Sequence, residues 1–417
     1  MLSYKADLEQ QSAKNGCGSK TLEKALSGIK VFDASQGIAG PHATFLLALH
    51  GADVMKIEPL EGDWGRVLGR KVGEETIHYL AFNSGKRSIA LDLKSKGGRE
   101  AALKLAAQAD IFIESYRPGV IGRLGLGYEE VRRINPDIIY ASVSGYGQKG
   151  PNTAAPATDA LIQAYSGMMK MNHTDDGRPH RNGMIVIDGL TGLYAYQAIS
   201  TALIKRLRFG GGAYLDISLA QAAAAFQAAK IMEFVDTGGR TTPLYVPAGM
   251  YETADDYVVI NGMRPNHFAA VCKAVDCEAL AQDPRWPTPN DRLKYTKEIN
   301  EKLREAFKRF ATTDVVARLR DADVMVEGVK TYGDWLEDPH ATESEFYHWV
   351  ETKGFGRMPI ATVPGAPECP SGIAPHIGEH TREILADAGF DADWIDTQIK
   401  SGAFAESQHD SQPVPVA

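Results

Sequence analysis

Between Ile29 and Ser144 the sequence alternates short apolar runs with longer stretches of helical spacing, and this alternation limits the fold more than any other feature. Ile29–Ala34 (IKVFDA) and Ala52–Glu58 (ADVMKIE) read as strands, and the Gly-opened apolar stretch Gly37–Gly51 between them reads as a helix. Together they make a β-α-β unit. Arg87–Leu93, Asp110–Glu114 and Asp137–Ser144 read as further strands, with helical spacing at Gly97–Ala109 and Tyr128–Ile134. Strands alternating with helices predict an α/β fold with a mostly parallel, doubly wound sheet.

The middle of the chain is more helical. Asp159–Met171 and Gly189–Leu207 carry apolar residues at helical spacing, Ile185–Ile187 reads as a short strand, Ala213–Ser218 as a longer one, and Leu219–Val235 as an alanine-rich helix. After Asp236 the pattern changes to a hairpin over Gly249–Gly262 and helices at His267–Val275, Tyr295–Arg309 and Thr313–Asp323. This predicts a smaller α+β domain over 236–338, following a large domain over 26–235. The segment 339–405, with a strand at Tyr347–Thr352 and a helix at Thr381–Ala388, is expected to return to the large domain. Residues 1–25 read as a polar extension without the apolar core of a signal peptide, and 406–417 as a frayed tail. A length of 417 residues suits two domains.

Composition excludes several functions. Lys and Arg number 45 against 53 Asp and Glu, a net charge of −8, so the chain lacks the basic footprint of a nucleic-acid binder. No apolar run is long enough to cross a bilayer. Four cysteines, Cys17, Cys272, Cys277 and Cys369, are too scattered for a disulfide scaffold or a zinc site. Reduced thiols, no metal and a cytoplasmic location are expected.

The first βα junction, DASQGIAGPHA, places Gly37 and Gly40 three apart, so the G-x-G-x-x-G dinucleotide fingerprint is absent. Its backbone N–H groups suit a phosphate or thioester oxygen, or simply a tight turn. Lys86, Arg87 and Lys94 cluster around one strand, and RPGVIGRLGLGY sets Arg117 and Arg123 among glycines. Such cations suit a ligand with several phosphates, or plain solvated surface. In HTDDGRPHR, His173, Arg178, His180 and Arg181 read as an exposed loop, with a second substrate carboxylate as the alternative. His380 reads as structural. Asp188 lies in IVIDGLTGLYA, at a helix N-terminus where dipole and free N–H groups favour an anion.

The runs IAGPHATFLLALHGADVMKIE, NSGKRSIALDLKSKGG, ESYRPGVIGRLGLGYEEVRRINPDIIYASVSGYGQKGP, IVIDGLTGLYAYQAISTALIKR and IGEHTREILADAGF, in this order from about Leu26 to Gly389, resemble the class III CoA-transferases of the formyl-CoA and carnitine (CaiB/BaiF) type. The resemblance implies a Rossmann-like large domain built from both chain ends and an interlocked, ring-like homodimer. It implies acyl-CoA and a small carboxylic acid as substrates, with no tightly bound cofactor. Leu91 and Lys94 match a segment that holds coenzyme A, Arg123 matches a phosphate ligand, Tyr116 a residue bordering the adenine, and Ile38 and Ala39 the turn near the pantetheine end. Asp188 matches the nucleophile, which would carry the acyl group and then CoA. Asp159 matches an acidic residue that orients the site; capping its own helix fits it equally well.

Departures narrow the reading. Ile38 stands where formyl-CoA transferase has Gln, Pro59 where it has Arg, and TTPLYVPAGMY replaces its glycine-rich loop, which argues against oxalate as acceptor. Thr158 stands where the related α-methylacyl-CoA racemases have a histidine base, and a threonine cannot abstract an α-proton at neutral pH. A CoA-transferase, with a succinyl-CoA donor, is therefore expected ahead of a racemase or a non-catalytic CoA-binding protein.

Overall fold

The computed structural model describes residues 24–173, 177–239, 243–352 and 354–407. Most of the 1–25 extension and of the 406–417 tail lies outside these residues. The chain divides into two compact units, Met1–Ala228 with Glu345–Ala417, and Ala229–Ser344.

The first unit is built on a seven-stranded sheet. Its strands are β1 (Lys30–Ala34), β2 (Asp53–Glu58), β3 (Arg87–Leu91), β4 (Ile111–Glu114), β5 (Ile139–Ser144), β6 (Ala213–Ser218) and β7 (Phe404–Ala405). Their order is β7-β3-β2-β1-β4-β5-β6. All pairs are parallel except β7–β3, where Phe404 and Ala405 run antiparallel against Leu91 and Ala90. Apart from β7 this is the doubly wound order, with its topological switch between β1 and β4, the place where such sheets open a ligand crevice. The chain's return is fixed by His380, whose N–H donates to Ser88 O and whose ring accepts from Ser88 N.

Apolar side chains on both faces of the strands explain their near-continuous hydrophobic runs. One face carries a ladder of rings. Phe32, Phe112 and Tyr140 are register partners on β1, β4 and β5, and they stack with centroids 4.5 and 4.6 Å apart. Helix α2 (Lys96–Gln108) covers this face with Ala101, Leu105 and Ala106. The other face packs Val31, Ile113 and Ile139 against helix α1 (Ala39–Leu49) and the long helix α4 (Val186–Phe209).

The second unit holds a three-stranded antiparallel sheet, in the order Met325–Gly328, Tyr257–Asn261, Ala248–Glu252. Helices His267–Ala274, Thr296–Phe307 and Thr312–Asp321 complete it around Val258, Ile260, Phe307 and Trp286.

Three elements differ from the sequence reading. Ile185–Ile187 is no strand, because α4 starts at Val186. The stretch Asp159–Met171 is two helices, α3 (Asp159–Tyr165) and Met168–Met171, parted at Gly167, whose φ is +83°. Leu219–Val235 likewise divides at Gln227 into Leu219–Phe226 and Ala228–Asp236. Cys272 and Cys277 are free thiols, but Cys369 is disulfide-bonded, which corrects the expectation of reduced thiols throughout.

Emptying the middle rung of the ring ladder should be costly. Phe112→Ala is expected to lower stability by about 3–5 kcal/mol, from lost burial plus the cavity left between Phe32 and Tyr140. Urea denaturation followed by circular dichroism measures this.

Candidate active site

The site begins with the turn after β1. Asp33, at the end of that strand, is fully buried and accepts from Ser35 N at 3.0 Å. Lys56, on β2, is also fully buried; its ammonium donates to Ser35 O and pairs with Asp63 at 2.6 Å. Asp63 Oδ1 in turn accepts from Gly37 N at 2.8 Å and Gly65 N at 2.7 Å. Gly37 has φ +81°, and a Cβ there would sit 2.0 Å from the Trp64 ring, so this position requires glycine. Gln36 N donates to Ser115 Oγ at 2.8 Å, tying the turn to the end of β4 across the switch point.

The main chain is thus held so that helix α1 starts at Ala39 with its end open. Among the described residues no acceptor pairs with the N–H groups of Ile38, Ala39 or Gly40, although all three residues are buried. Pro41 follows, where its missing donor costs nothing. Free N–H groups at the positive end of a helix are a place for an anionic oxygen.

Asp188 sits in the first turn of α4, partly buried. Asp159 governs how that helix begins. Its Oδ2 accepts from Ile187 N at 2.6 Å and Asp188 N at 3.1 Å, and its Oδ1 accepts from Gln163 Nε2 at 2.6 Å. Gln163 Oε1 accepts from Asn182 N at 3.0 Å, closing the approach segment. Asp159 therefore caps α4, not α3. The cap of α3 is Thr158, whose hydroxyl accepts from Leu161 N at 3.5 Å.

Burial pushes the Asp188 carboxyl up to about 7, and the negative charge of Asp159 adds to the rise. Gly189 N donates to Ile185 O at 3.2 Å, so it is no free oxyanion donor. The unpaired donors belong to Ile38, Ala39 and Gly40 instead.

The remaining candidates lie along the carboxyl ends of the strands. Leu91 is buried at the end of β3, and Lys94 is exposed just beyond, where Asp92 Oδ1 accepts its N–H at 2.9 Å. Tyr116 follows β4, partly buried; its hydroxyl accepts from Gln36 Nε2 at 3.4 Å and its N–H donates to Glu114 at 2.8 Å. Arg123 is exposed at the end of the short helix Val120–Arg123. Neither Lys94 nor Arg123 makes an ion pair among the described residues. The structure brings Asp159 to Asp188, and Tyr116 to the Ile38–Ala39 turn through Gln36. No hydrogen bond joins Lys94 or Arg123 to Asp188 among the described residues.

Two cations of the sequence cluster are engaged within the protein. Lys86 is buried, bonded to Asp33, Thr44 and Asn83 at 2.7 to 3.0 Å. Arg87 pairs with Asp53, Glu383 and Asp387. In the HTDDGRPHR segment, His180 N donates to Asn172 O at 2.8 Å, and residues 174–176 lie outside the described ones. His42 and Gln163 were missed in the sequence: a lone His in an apolar helix and a Gln within a helical pattern carry no motif. Among the described residues no cluster of three or more His, Cys, Asp or Glu could hold a metal ion.

Fold and site together describe an α/β protein that presents a carboxyl near open amide donors, the parts covalent acyl transfer needs. The family model of CoA-transferase family III matches residues 26–381, and the chain belongs to that family and is an enzyme of the CoA-transferase type. It is 32% identical to the human succinyl-CoA:glutarate CoA-transferase, over 87% of this chain and 86% of that protein. It is 36% identical to the acetyl-CoA:oxalate CoA-transferase of Acetobacter aceti, over 68% of this chain and 75% of that one. Among solved structures, a CaiB/BaiF family protein from Brucella suis is 30% identical, with a TM-score of 0.76 over 87% of this chain and 99% of that chain.

The raised pKa of Asp188 has a signed consequence. The folded state takes up a proton between the ordinary aspartate range and about 7, so Asp188 stabilises least when ionised. Asp188→Asn should raise the melting temperature relative to wild type more at pH 8 than at pH 5. Asp159→Asn removes the neighbouring charge and should move the acid limb of the pH–activity profile downwards.

Proposed function

We propose that this enzyme transfers CoA from a donor acyl-CoA to a free carboxylic acid, with Asp188 as its nucleophile. The observation that carries the reading is the Asp188 carboxyl, placed at the start of α4 by Asp159, beside a helix whose first N–H groups are unpaired. Asp188 attacks the acyl carbon and CoA leaves as a thiolate, forming a mixed anhydride. The thiolate attacks the aspartyl carbonyl and releases the donor acid, leaving an aspartyl-CoA thioester. The incoming carboxylate attacks that thioester, forming a new anhydride and freeing the thiolate. Attack of the thiolate on the acyl carbonyl then gives the new acyl-CoA and free Asp188. Anhydride and thioester conserve the energy of the starting thioester, whereas a serine ester would not. The Ile38, Ala39 and Gly40 N–H groups would receive the developing oxyanions.

Coenzyme A would lie over the switch point. Lys94 and Arg123 would meet its phosphates, Tyr116 would border the adenine, and the Leu91 end of β3 would line the path. No tightly bound cofactor takes part. Relatives named for glutarate, mesaconate and oxalate support a short dicarboxylic acid as acceptor, and those named for glutarate and mesaconate support succinyl-CoA as donor. A racemase finds no base at Thr158, whose hydroxyl caps α3. The family's topology supports an interlocked homodimer, with the large domain over 26–235 and 339–405 and the small one over 236–338, in the cytoplasm. Such a dimer should persist at nanomolar concentration, which sedimentation would measure.

A screen of acyl-CoA donors against dicarboxylates, read by mass, tests the activity. Wild type incubated with acyl-CoA should carry a covalent mass on the peptide containing Asp188, trappable by hydroxylamine. Correctly folded Asp188→Ala should lose both adduct and turnover; substantial turnover in that variant would end the proposal. Arg123→Ala should raise KM for acyl-CoA roughly ten- to a hundredfold with little change in kcat, the loss of one charge-assisted contact made in ground and transition states alike.

A further inference from the structure

We infer that His42 is a positioning residue that sets the register between the two helix starts of the site, and so aims the free N–H groups of α1 at the carbonyl that Asp188 attacks. The inference rests on the reading of Asp188 given above and goes beyond it to a residue that no motif marks.

Helices α1 and α4 lie side by side on the same face of the sheet. One side-chain hydrogen bond joins their first turns among the described residues: the His42 ring, through Nδ1, to Gly189 O at 3.1 Å. Gly189 directly follows Asp188, and His42 lies one turn beyond Ile38, whose carbonyl accepts its N–H at 2.7 Å. The bond therefore links the peptide next to the nucleophile to the helix start that carries the unpaired donors. A carbonyl can only accept, so Nδ1 carries the proton and the ring presents its Nε2 lone pair elsewhere.

The ring is held on three sides. A Cβ at Gly192 would lie 2.6 Å from His42 Nδ1 and 2.7 Å from its Cβ, so the absence of a side chain on α4 is what admits the imidazole. Phe82 packs against it, with ring centroids 5.2 Å apart. Burial holds the imidazole down to about 4, the positive charge of Lys86 adding to the drop, so the ring stays neutral through the working range. A neutral ring keeps one donor and adds no charge beside two positive helix ends.

Gly189 O lies within the first turn of α4, so the bond acts on the backbone that carries the nucleophile and not on the substrate. Losing it should leave CoA binding intact and spoil alignment, and misplacement on the order of 1 Å costs up to about a hundredfold in rate.

The test compares three variants with wild type, each checked for folding by its melting curve. His42→Phe keeps a flat ring without the donor, and kcat should fall roughly ten- to a hundredfold while KM for acyl-CoA stays within about twofold. His42→Asn offers an amide N–H near the position of Nδ1 and should recover most of that loss. Gly192→Ala reaches the same bond from α4: its methyl must displace the ring, so kcat should fall in the same way. This second variant keeps the question open to refutation should His42→Phe fail to fold. The rate at which the Asp188 adduct appears should fall in parallel with kcat. Wild-type kcat in His42→Phe or Gly192→Ala, or an equal loss in His42→Asn and His42→Phe, would overturn the inference. If wild type itself forms no adduct, the reading of Asp188 fails; if wild type and His42→Phe form it at the same rate, only the role of His42 fails.

Discussion

Beneath the turn after β1 lies a buried set of charges on which the site depends. Asp33, Glu58 and Asp63 face Lys56, Arg66 and Lys86, three anions against three cations, all nearly inaccessible to water. Lys56 bonds Asp63, Arg66 bonds Glu58, and Lys86 bonds Asp33. Buried charges are tolerable only when paired and hydrogen-bonded, and removing one partner strands the other. Burial alone would raise Asp33, yet Lys86 and Lys56 draw it down to about 2. Burial pushes Lys86 down to about 8, only partly offset by Asp33. The set stabilises the fold less than it specifies it. It fixes Ser35 and Gly37, and through them the unpaired N–H groups of α1.

A second constraint concerns helix starts. The opening turn of a helix leaves N–H groups without partners. At α4 Asp159 satisfies two of them, and that same anion raises the pKa of the adjacent Asp188. Burial causes the larger part of that rise, and a neutral cap would have spared the nucleophile only the part due to Asp159. An anionic one fixes the backbone more firmly, because a charged acceptor makes the stronger bond. At α1 the opposite choice is made: nothing among the described residues fills the open donors. One helix start is closed and carries a carboxyl; the other is open, and His42 joins the two.

Much of the first unit was legible in the sequence because its strands are buried on both faces and its helices follow glycine-marked turns. The alternation of apolar runs announced the parallel sheet, and Tyr128–Ile134 and Ala213–Ser218 form with the expected bounds. The family resemblance singled out Asp188 and Asp159, and the structure joins the Asp159 carboxylate to the Asp188 main chain. The start of α4 was not legible. Ile185, Val186 and Ile187 are β-branched and favour a strand by themselves, and what holds the helix start at Val186 is a carboxylate 28 residues before Ile187 accepting from Ile187 N.

Local composition thus determined most strands of the large sheet and the turn that needs glycine at Gly37. Only the tertiary structure decided what the charges do. Lys86 and Arg87 read as surface cations for a ligand, yet one is buried against Asp33 and the other ties β3 to Asp53, Glu383 and Asp387. Lys94, a few residues on, is exposed. Their residue types are alike, and the difference lies in which long-range partner each meets. The same holds for His42, whose partner is 147 residues away. Pairings across such distances are set by how helices and sheet pack, and no local pattern in the chain encodes them.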